Sequence, residues 1–165
     1  KQDSPDYYIN RENGVNELEL KTFKGSPGFD ISNYYSFIDQ LIQDGGVYRK
    51  LFNTKYIIFE YEEMDCAFRI VSFHYKRLWE ILSYHTKYPI PIQNKKGIWY
   101  NIRPGSINTW NDKSKTSTQC IKSILASILE CPTVMDNKEN KLNIIKQQWE
   151  DIKTSHPELN LQPLE

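Results

Sequence analysis

The chain has 165 residues, enough for one domain with a substantial core, and its 21 basic and 21 acidic residues leave no net charge. This balance argues against a protein that holds nucleic acid by overall positive charge, although a local basic cleft beside an acidic site is compatible with it. No signal peptide or membrane-spanning stretch is visible in the sequence. The three cysteines, an odd number without metal-ligand spacing, predict reduced, buried thiols in a cytoplasmic protein: Cys66, Cys120 and Cys131.

The first predicted element is a β-hairpin close to the N-terminus. Its turn is indicated by Asn13-Gly14, a dipeptide that is favoured in tight hairpin turns. In the second arm, polar and apolar residues alternate with a period of two, which is typical of a half-buried strand. This alternation places Val15, Glu17, Glu19, Lys21 and Phe23 on one face, and Leu18 and Leu20 on the other.

Asp6, in the first arm, is predicted to lie on the face that carries Glu19 and Lys21. If Asn10 opposes Val15, then Asp6 opposes Glu19; if the loop is only the Asn-Gly pair, Asp6 opposes Lys21. The two registers differ by two residues, so both keep Asp6 on this face. Two carboxylates and an ammonium therefore converge, and a hard divalent cation such as Mg²⁺ relieves the repulsion between the carboxylates.

These residues resemble a known signature. Pro5-Asp6, followed by Glu19-Leu20-Lys21, matches the PD-(D/E)xK pattern of the restriction-endonuclease-like nucleases. The segment 17–22 also resembles the E-L-K-T segment of the MutH-type mismatch-repair endonucleases and type II restriction enzymes. An ordinary cross-strand ion pair on a solvated hairpin is the structural alternative, worth roughly 0.2–1 kcal/mol.

The resemblance implies a role for each matching position. Asp6, Glu19 and the main-chain carbonyl of Leu20 would bind Mg²⁺, and Lys21 would assist the attacking water, with 5′-phosphate and 3′-hydroxyl ends as products. Glu17 would be an optional extra ligand. Because the family usually places a helix before the motif aspartate, the resemblance also suggests that the chain is part of a larger protein.

The middle of the chain predicts a βαβ unit. After a loop at 24–28, Asp30 or Ser32 is expected to cap a helix that reaches about residue 44, where Gly45-Gly46 ends it. The continuous apolar run at 54–62 predicts a strand buried on both faces. Because strand, helix and strand follow one another, the new strand is expected to pair parallel to the strand of Glu19.

The second half predicts further short elements. A strand at 68–75, a short helix at 76–82 and a hairpin at 89–102 with a basic tip come first. A capping box at 116–119 begins one helix, and a last helix runs over 138–154. The prediction is a nuclease domain over 1–155 and a C-terminal tail over 156–165, which is expected to be an extended arm or frayed end.

Basic and polar residues in the second half are candidate DNA contacts, because lysine and asparagine suit phosphate contacts and asparagine or arginine can hydrogen-bond base edges. Trp79, Trp99 and Trp149 lie in apolar patterns that predict core positions, whereas Trp110 lies in a polar loop and is the better contact candidate. The predicted contacts are Lys95, Lys96, Arg103, Asn108, Trp110, Asn111, Lys113 and Lys115.

Together these features predict an α/β fold, a restriction-endonuclease-like mixed central β-sheet flanked by α-helices. The predicted function is a Mg²⁺-dependent type II restriction endonuclease that cuts double-stranded DNA, with no membrane association. A homodimer would match the two-fold symmetry of a palindromic site. The alternatives are a non-catalytic DNA- or protein-binding module and a DNA-repair nickase of the same fold.

Overall fold

The computed structural model describes residues 6–11, 14–84 and 87–164. Pro5 of the signature, Asn13 of the hairpin turn and His85 lie outside these residues. Within the described ranges, none of the helices combines the length and apolar character that a membrane span requires.

A four-stranded mixed sheet carries the predicted hairpin. β1 (Tyr7–Arg11) pairs antiparallel with β2 (Gly14–Phe23), with Asn10 opposite Val15, the first of the two predicted registers. β2 pairs parallel with β4 (Thr54–Met64), which pairs antiparallel with β5 (Ala67–Lys76), in the order β1-β2-β4-β5. The mixed sheet and the parallel partner of the Glu19 strand are thereby confirmed.

The strand β4 is buried on one face only, so the prediction of burial on both faces was wrong. Thr54, Tyr56 and Ile58 point into the core, whereas the alternating residues between them are only half-buried. The outer face of the sheet exposes large apolar side chains on β2 and β5: Leu20, Phe73 and Tyr75. The apolar run of β4 therefore reflects an apolar outer face rather than a second covered one.

The connection from β2 to β4 contains several short elements, whereas the sequence predicted a single helix. β3 (Ser32–Asn33) pairs with β7 (Ile98–Ile102), and α1 (Tyr34–Leu41) follows β3. The N-cap is Asn33, neither Asp30 nor Ser32; its Oδ1 accepts a hydrogen bond from the Ser36 N–H at 3.2 Å. Strand pairing at residues 32–33 delays the helix. After a turn come α2 (Gly46–Tyr48) and a π-helical turn over Arg49–Asn53.

The close approach of α2 to the end of α1 leads to a first testable prediction. A Cβ added to Gly46 would lie 2.2 Å from the Gln40 carbonyl oxygen and 2.6 Å from that of Leu41. Gly46→Ala is therefore expected to destabilise the protein by about 1–3 kcal/mol, as overpacking does. Gly28→Ala is the matched control, because its Cβ would meet nothing nearer than 3.9 Å. Urea denaturation measures both; equal stability of the two variants would contradict the packing.

A smaller sheet and two long helices complete the fold. The smaller sheet has the order β3-β7-β6 and contains the predicted basic-tipped hairpin, β6 (Ile92–Lys95) and β7 (Ile98–Ile102). The long helices are α4 (Ser117–Glu130) and α5 (Lys138–Ser155), and the short helix α3 (Leu78–Ile81) precedes them in the chain. Single 3₁₀ turns cover Ile107–Thr109 and Pro157–Leu159. Thr116 caps α4 by accepting from the Gln119 N–H at 3.1 Å, as its sequence predicts.

The C-terminal segment packs on the core and is not a frayed arm. Leu159, Leu161 and Leu164 lie against the core cluster, and the Trp149 indole N–H donates to the Gln162 carbonyl at 3.1 Å. These apolar side chains cover α5, which explains why the two prolines do not lead the segment into solvent.

The core tryptophans and the cysteines are placed largely as expected. Trp99 and Trp149 are buried, and Trp79 is half-buried against the core. All three cysteines are free thiols. Cys120 and Cys131 are buried as predicted, but Cys66 is exposed because it lies in the turn between β4 and β5.

Candidate active site

The acidic face of β2 points into the protein. Glu17 and Glu19 are each only 4% exposed, whereas the intervening Leu18 is half-buried and Leu20 is 39% exposed. Lys21, on the same face as the two acids, is half-buried. The strand thus buries its carboxylates more deeply than its leucines, which is the reverse of what side-chain hydrophobicity favours. Burying charged side chains more deeply than apolar ones costs stability, and it is typical of a functional site.

Asp6, which directly precedes β1, contributes a carboxylate from the segment beside β2. Its Oδ2 accepts a hydrogen bond from the main-chain N–H of Leu20 at 2.7 Å. In a strand, the N–H and C=O of one residue point towards the same neighbouring strand. The Leu20 carbonyl is therefore directed to the side where the Asp6 carboxylate lies.

Asp6, Glu19 and Lys21 form one electrostatic group. The Lys21 Nζ lies 3.6 Å from Glu19 Oε2. Burial raises the pKa of Glu19, the charge of Asp6 raises it further, and the ammonium groups of Lys21 and Lys50 oppose both effects. The predicted convergence of two carboxylates and an ammonium is thus present in the structure.

The donor set contains the oxygen ligands that a hard divalent cation such as Mg²⁺ uses. In the described part of the chain, no three His, Cys, Asp or Glu side chains are grouped as metal ligands. Two mutually repelling carboxylates and one carbonyl leave several coordination positions to water and substrate, which is the arrangement that Mg²⁺ favours. The residues present therefore fit this cation.

A buried cluster behind Glu19 was not identified from the sequence. The Thr54 hydroxyl donates to Glu17 Oε2 at 3.0 Å, and Arg49 Nε lies 3.9 Å from Glu17 Oε1. Lys50, from the π-helical turn, is buried beside these acids. In the sequence, the sign of this cluster was the basic pair Arg49-Lys50 between the apolar residues Val47, Leu51 and Phe52. Neither a helical nor a strand period explains a basic pair at that place.

Trp110 does not lie on the surface as its polar loop suggested. It is 1% exposed, and its indole N–H donates to the Gly105 carbonyl at 3.1 Å. Its ring packs edge-on against Phe23 and His74, with centroids 6.0 and 5.1 Å away. This burial removes Trp110 from the candidate DNA contacts.

Two of the predicted basic contacts are committed to internal interactions. Arg103 Nε lies 2.9 Å from Asp30 Oδ1, and its guanidinium also donates to the Gly28 carbonyl. Lys115 Nζ donates to the Glu80 carbonyl at 2.8 Å and to Thr109 Oγ1 at 3.1 Å. Burial lowers the pKa of Lys115. Both side chains thus hold loops in place.

The other predicted contacts are exposed, in two separate places. Lys95 and Lys96 lie at the tip of the β6–β7 hairpin. The polar loop exposes three more, Asn108, Asn111 and Lys113. Asn111 and Lys113 line a groove of about 490 Å³ together with Lys76, whose Nζ donates to Asn111 Oδ1 at 2.8 Å.

This groove belongs to the same side of the sheet as the acids. Glu19 pairs with Tyr56, and Tyr56 pairs with Lys76, so the three residues form one row across β2, β4 and β5. Adjacent strands are about 4.8 Å apart, which puts the Lys76 backbone about 10 Å from that of Glu19.

A match to a protein-family model decides the family. The model of the NgoBV restriction endonuclease family matches residues 1–160. The chain belongs to the NgoBV restriction endonuclease family. It is also 29% identical over 158 residues to the type II restriction enzyme NlaIV of Neisseria lactamica, a match that covers 92% of this chain.

Structural comparison agrees with this family membership at the level of fold. A solved structure, described as NlaIV restriction endonuclease, superposes with a TM-score of 0.67 over 84% of this chain, at 24% identity. The chain spans about three fifths of these relatives, 63% of the NlaIV sequence and 57% of the solved chain. The predicted restriction-endonuclease-like α/β fold is thereby confirmed for this member of the NgoBV family.

Proposed function

We propose that this chain is the catalytic part of a site-specific endonuclease that hydrolyses phosphodiester bonds of double-stranded DNA with Mg²⁺. The observation that carries the proposal is the group formed by Asp6, Glu19 and Lys21, in which a buried acid on β2 meets a second acid and an amine that are both half-buried. Membership in a restriction endonuclease family supports the reaction class.

Each residue of the group has a distinct task in the proposed reaction. Asp6, Glu19 and the Leu20 carbonyl would hold the cation, which when bound supplies Lewis acidity at the scissile phosphate and acidifies a water. Lys21 orients the attacking water and offsets the negative charge that develops in the transition state. Its 3.6 Å separation from Glu19 Oε2 fixes the ammonium beside the acids.

The lysines and asparagines of the groove and of the hairpin tip are proposed to hold the DNA backbone. Lys76, Asn111 and Lys113 line the groove beside the acidic row, and the tip lysines Lys95 and Lys96 provide a second basic point. Lysine and asparagine side chains suit phosphate oxygens, which position a duplex without selecting its sequence. We further propose a homodimer, whose two-fold axis would match a palindromic site.

Plasmid cleavage tests the proposal directly. Supercoiled plasmid is expected to be linearised at discrete sites in Mg²⁺ and to stay intact in EDTA. Glu19→Gln keeps the size of the side chain but removes the charge that binds the cation, so it is expected to lower the initial cleavage rate by at least about 100-fold. Glu62→Gln, on the exposed end of β4, is the matched control and should cut normally. Cleavage by Glu19→Gln at the normal rate would refute the site.

A further inference from the structure

Lys50 is a cation buried beside two acids. Its side chain is only 5% exposed, in the π-helical turn that leads into β4. Burial lowers the pKa of Lys50, and the nearby carboxylates of Glu19 and Glu17 act in the opposite direction. A buried ammonium is tolerated where opposite charges surround it, so its position among acids has a structural cause.

The π-helical turn fixes this position through Thr54. The Thr54 N–H donates to the Arg49 carbonyl, five residues back, and its hydroxyl donates to the same carbonyl at 2.9 Å. The same hydroxyl oxygen lies 3.0 Å from Glu17 Oε2, so its single proton is shared between the two acceptors. Because Thr54 and Glu17 are cross-strand partners, the turn is held against the buried face of β2. Single π-helical turns occur frequently at functional sites.

Glu17 therefore has a different place from Glu19. Its carboxylate is engaged by Thr54 and lies near Arg49, on the side of the turn, whereas Glu19 lies between Lys21 and the Asp6 side. Glu17 and Lys50 are both buried and together form a layer of charge behind Glu19. Lys21, which is half-buried, lies nearer the open side of the same group.

We propose that Lys50 is a positioning residue of the cation site, whose ammonium balances Glu17 and Glu19 from the protein interior and holds Glu19 in place to receive Mg²⁺. This inference rests on the proposed function. In the metal-free protein, Lys50 offsets the repulsion among the carboxylates. A bound cation performs part of the same task from the other side, so the loss of Lys50 increases what Mg²⁺ contributes.

Thermal unfolding without DNA tests this role separately from cleavage. Wild type and Lys50→Met are melted in EDTA and in Mg²⁺, with circular dichroism as the signal. In EDTA, Lys50→Met is expected to lower Tm by on the order of 10 °C, because buried acids lose their counter-charge. Mg²⁺ is expected to raise the Tm of Lys50→Met by clearly more than it raises that of wild type.

Lys55→Met is the matched control. Lys55 is half-buried, and burial lowers its pKa to about 8, but its charged neighbours are Arg77 and Glu80. Its replacement is expected to leave the Mg²⁺-induced shift at the wild-type value. A purely structural contribution of Lys50 would behave like this control.

The outcomes distinguish the role of Lys50 from the proposed nuclease function. A wild-type Mg²⁺ shift that Lys50→Met leaves unchanged overturns the role of Lys50 alone. Absence of any wild-type shift, together with absence of Mg²⁺-dependent cleavage, overturns the proposed function. If Lys50→Met does not fold, Glu17→Gln with Lys50→Met decides: removing one acid with the lysine should restore a cooperative melt, and failure to do so overturns the inference.

Discussion

Lys21→Ala is expected to abolish DNA cleavage while DNA binding stays intact. The Lys21 ammonium lies 3.6 Å from Glu19 Oε2 and has a side chain that is 20% exposed, so it can reach both the acids and a substrate. Removing one preorganised group that stabilises transition-state charge typically costs 10²–10³-fold in rate, and we expect a loss of at least about 100-fold here. The measurement is the initial rate of plasmid linearisation in Mg²⁺.

DNA binding in the same variant is measured by gel shift in EDTA or Ca²⁺, where no turnover occurs. Lys24→Ala is the matched control: Lys24 follows three residues later, is more exposed, and pairs with Glu63 at 2.7 Å, away from the acids. This control should cut at nearly the wild-type rate, since exposed ion pairs contribute little. Unchanged cleavage by Lys21→Ala would count against the assignment of the whole group.

Trp110→Ala is expected to cause the largest loss of stability, about 3–5 kcal/mol in the free energy of unfolding. The indole is 1% exposed and joins Phe23, the last residue of β2, and Phe29 in the loop that follows to His74 on β5. Its removal would leave a cavity between these elements and take away the hydrogen bond to the Gly105 carbonyl. Urea denaturation followed by circular dichroism measures the change.

Two further variants, Trp110→Phe and Phe68→Ala, show how much of the lost stability comes from the hydrogen bond and from the burial of the indole. The phenyl ring keeps much of the packing but leaves the Gly105 carbonyl without its donor, so about 1–3 kcal/mol is expected to be lost. Phe68 is 73% exposed, and its truncation should change stability by no more than about 0.5 kcal/mol. A Trp110→Ala protein of normal stability but weakened DNA binding would return Trp110 to the surface role that its sequence suggested.

In β2 the charged side chains are buried more deeply than the leucines. This burial explains why a sequence pattern that is weak by itself points to a functional site. An E-x-K triplet on a strand is common, and its ordinary outcome is a solvated ion pair. In this protein the same triplet faces inward, so Glu19 loses solvent and its pKa rises, while Asp6 adds a second charge. Folding places these charges together at a cost, which is typical of catalytic sites.

The sequence by itself determined the hairpin, its facing and the parallel partner strand. Period-two alternation makes Glu17, Glu19 and Lys21 share a face, and antiparallel pairing across the turn keeps Asp6 on that face in both registers that the sequence allowed. The hairpin and its facing depend only on neighbours along the chain or across one turn, and the parallel partner strand follows from the order strand, helix, strand. The same locality accounts for the Thr116 cap and the α4 and α5 helices.

The tertiary structure alone decided which face was buried, where Trp110 lies and which lysine supports the acids. Trp110 is buried because β2 and β5 approach its loop from distant parts of the chain, and Lys50 is brought to Glu17 by a π-helical turn held through Thr54. Neither arrangement has a local period, since each depends on contacts between residues far apart in sequence. Secondary-structure propensity and hydrophobic patterning describe neighbours along the chain and carry no information about such contacts. They become visible only in the folded structure.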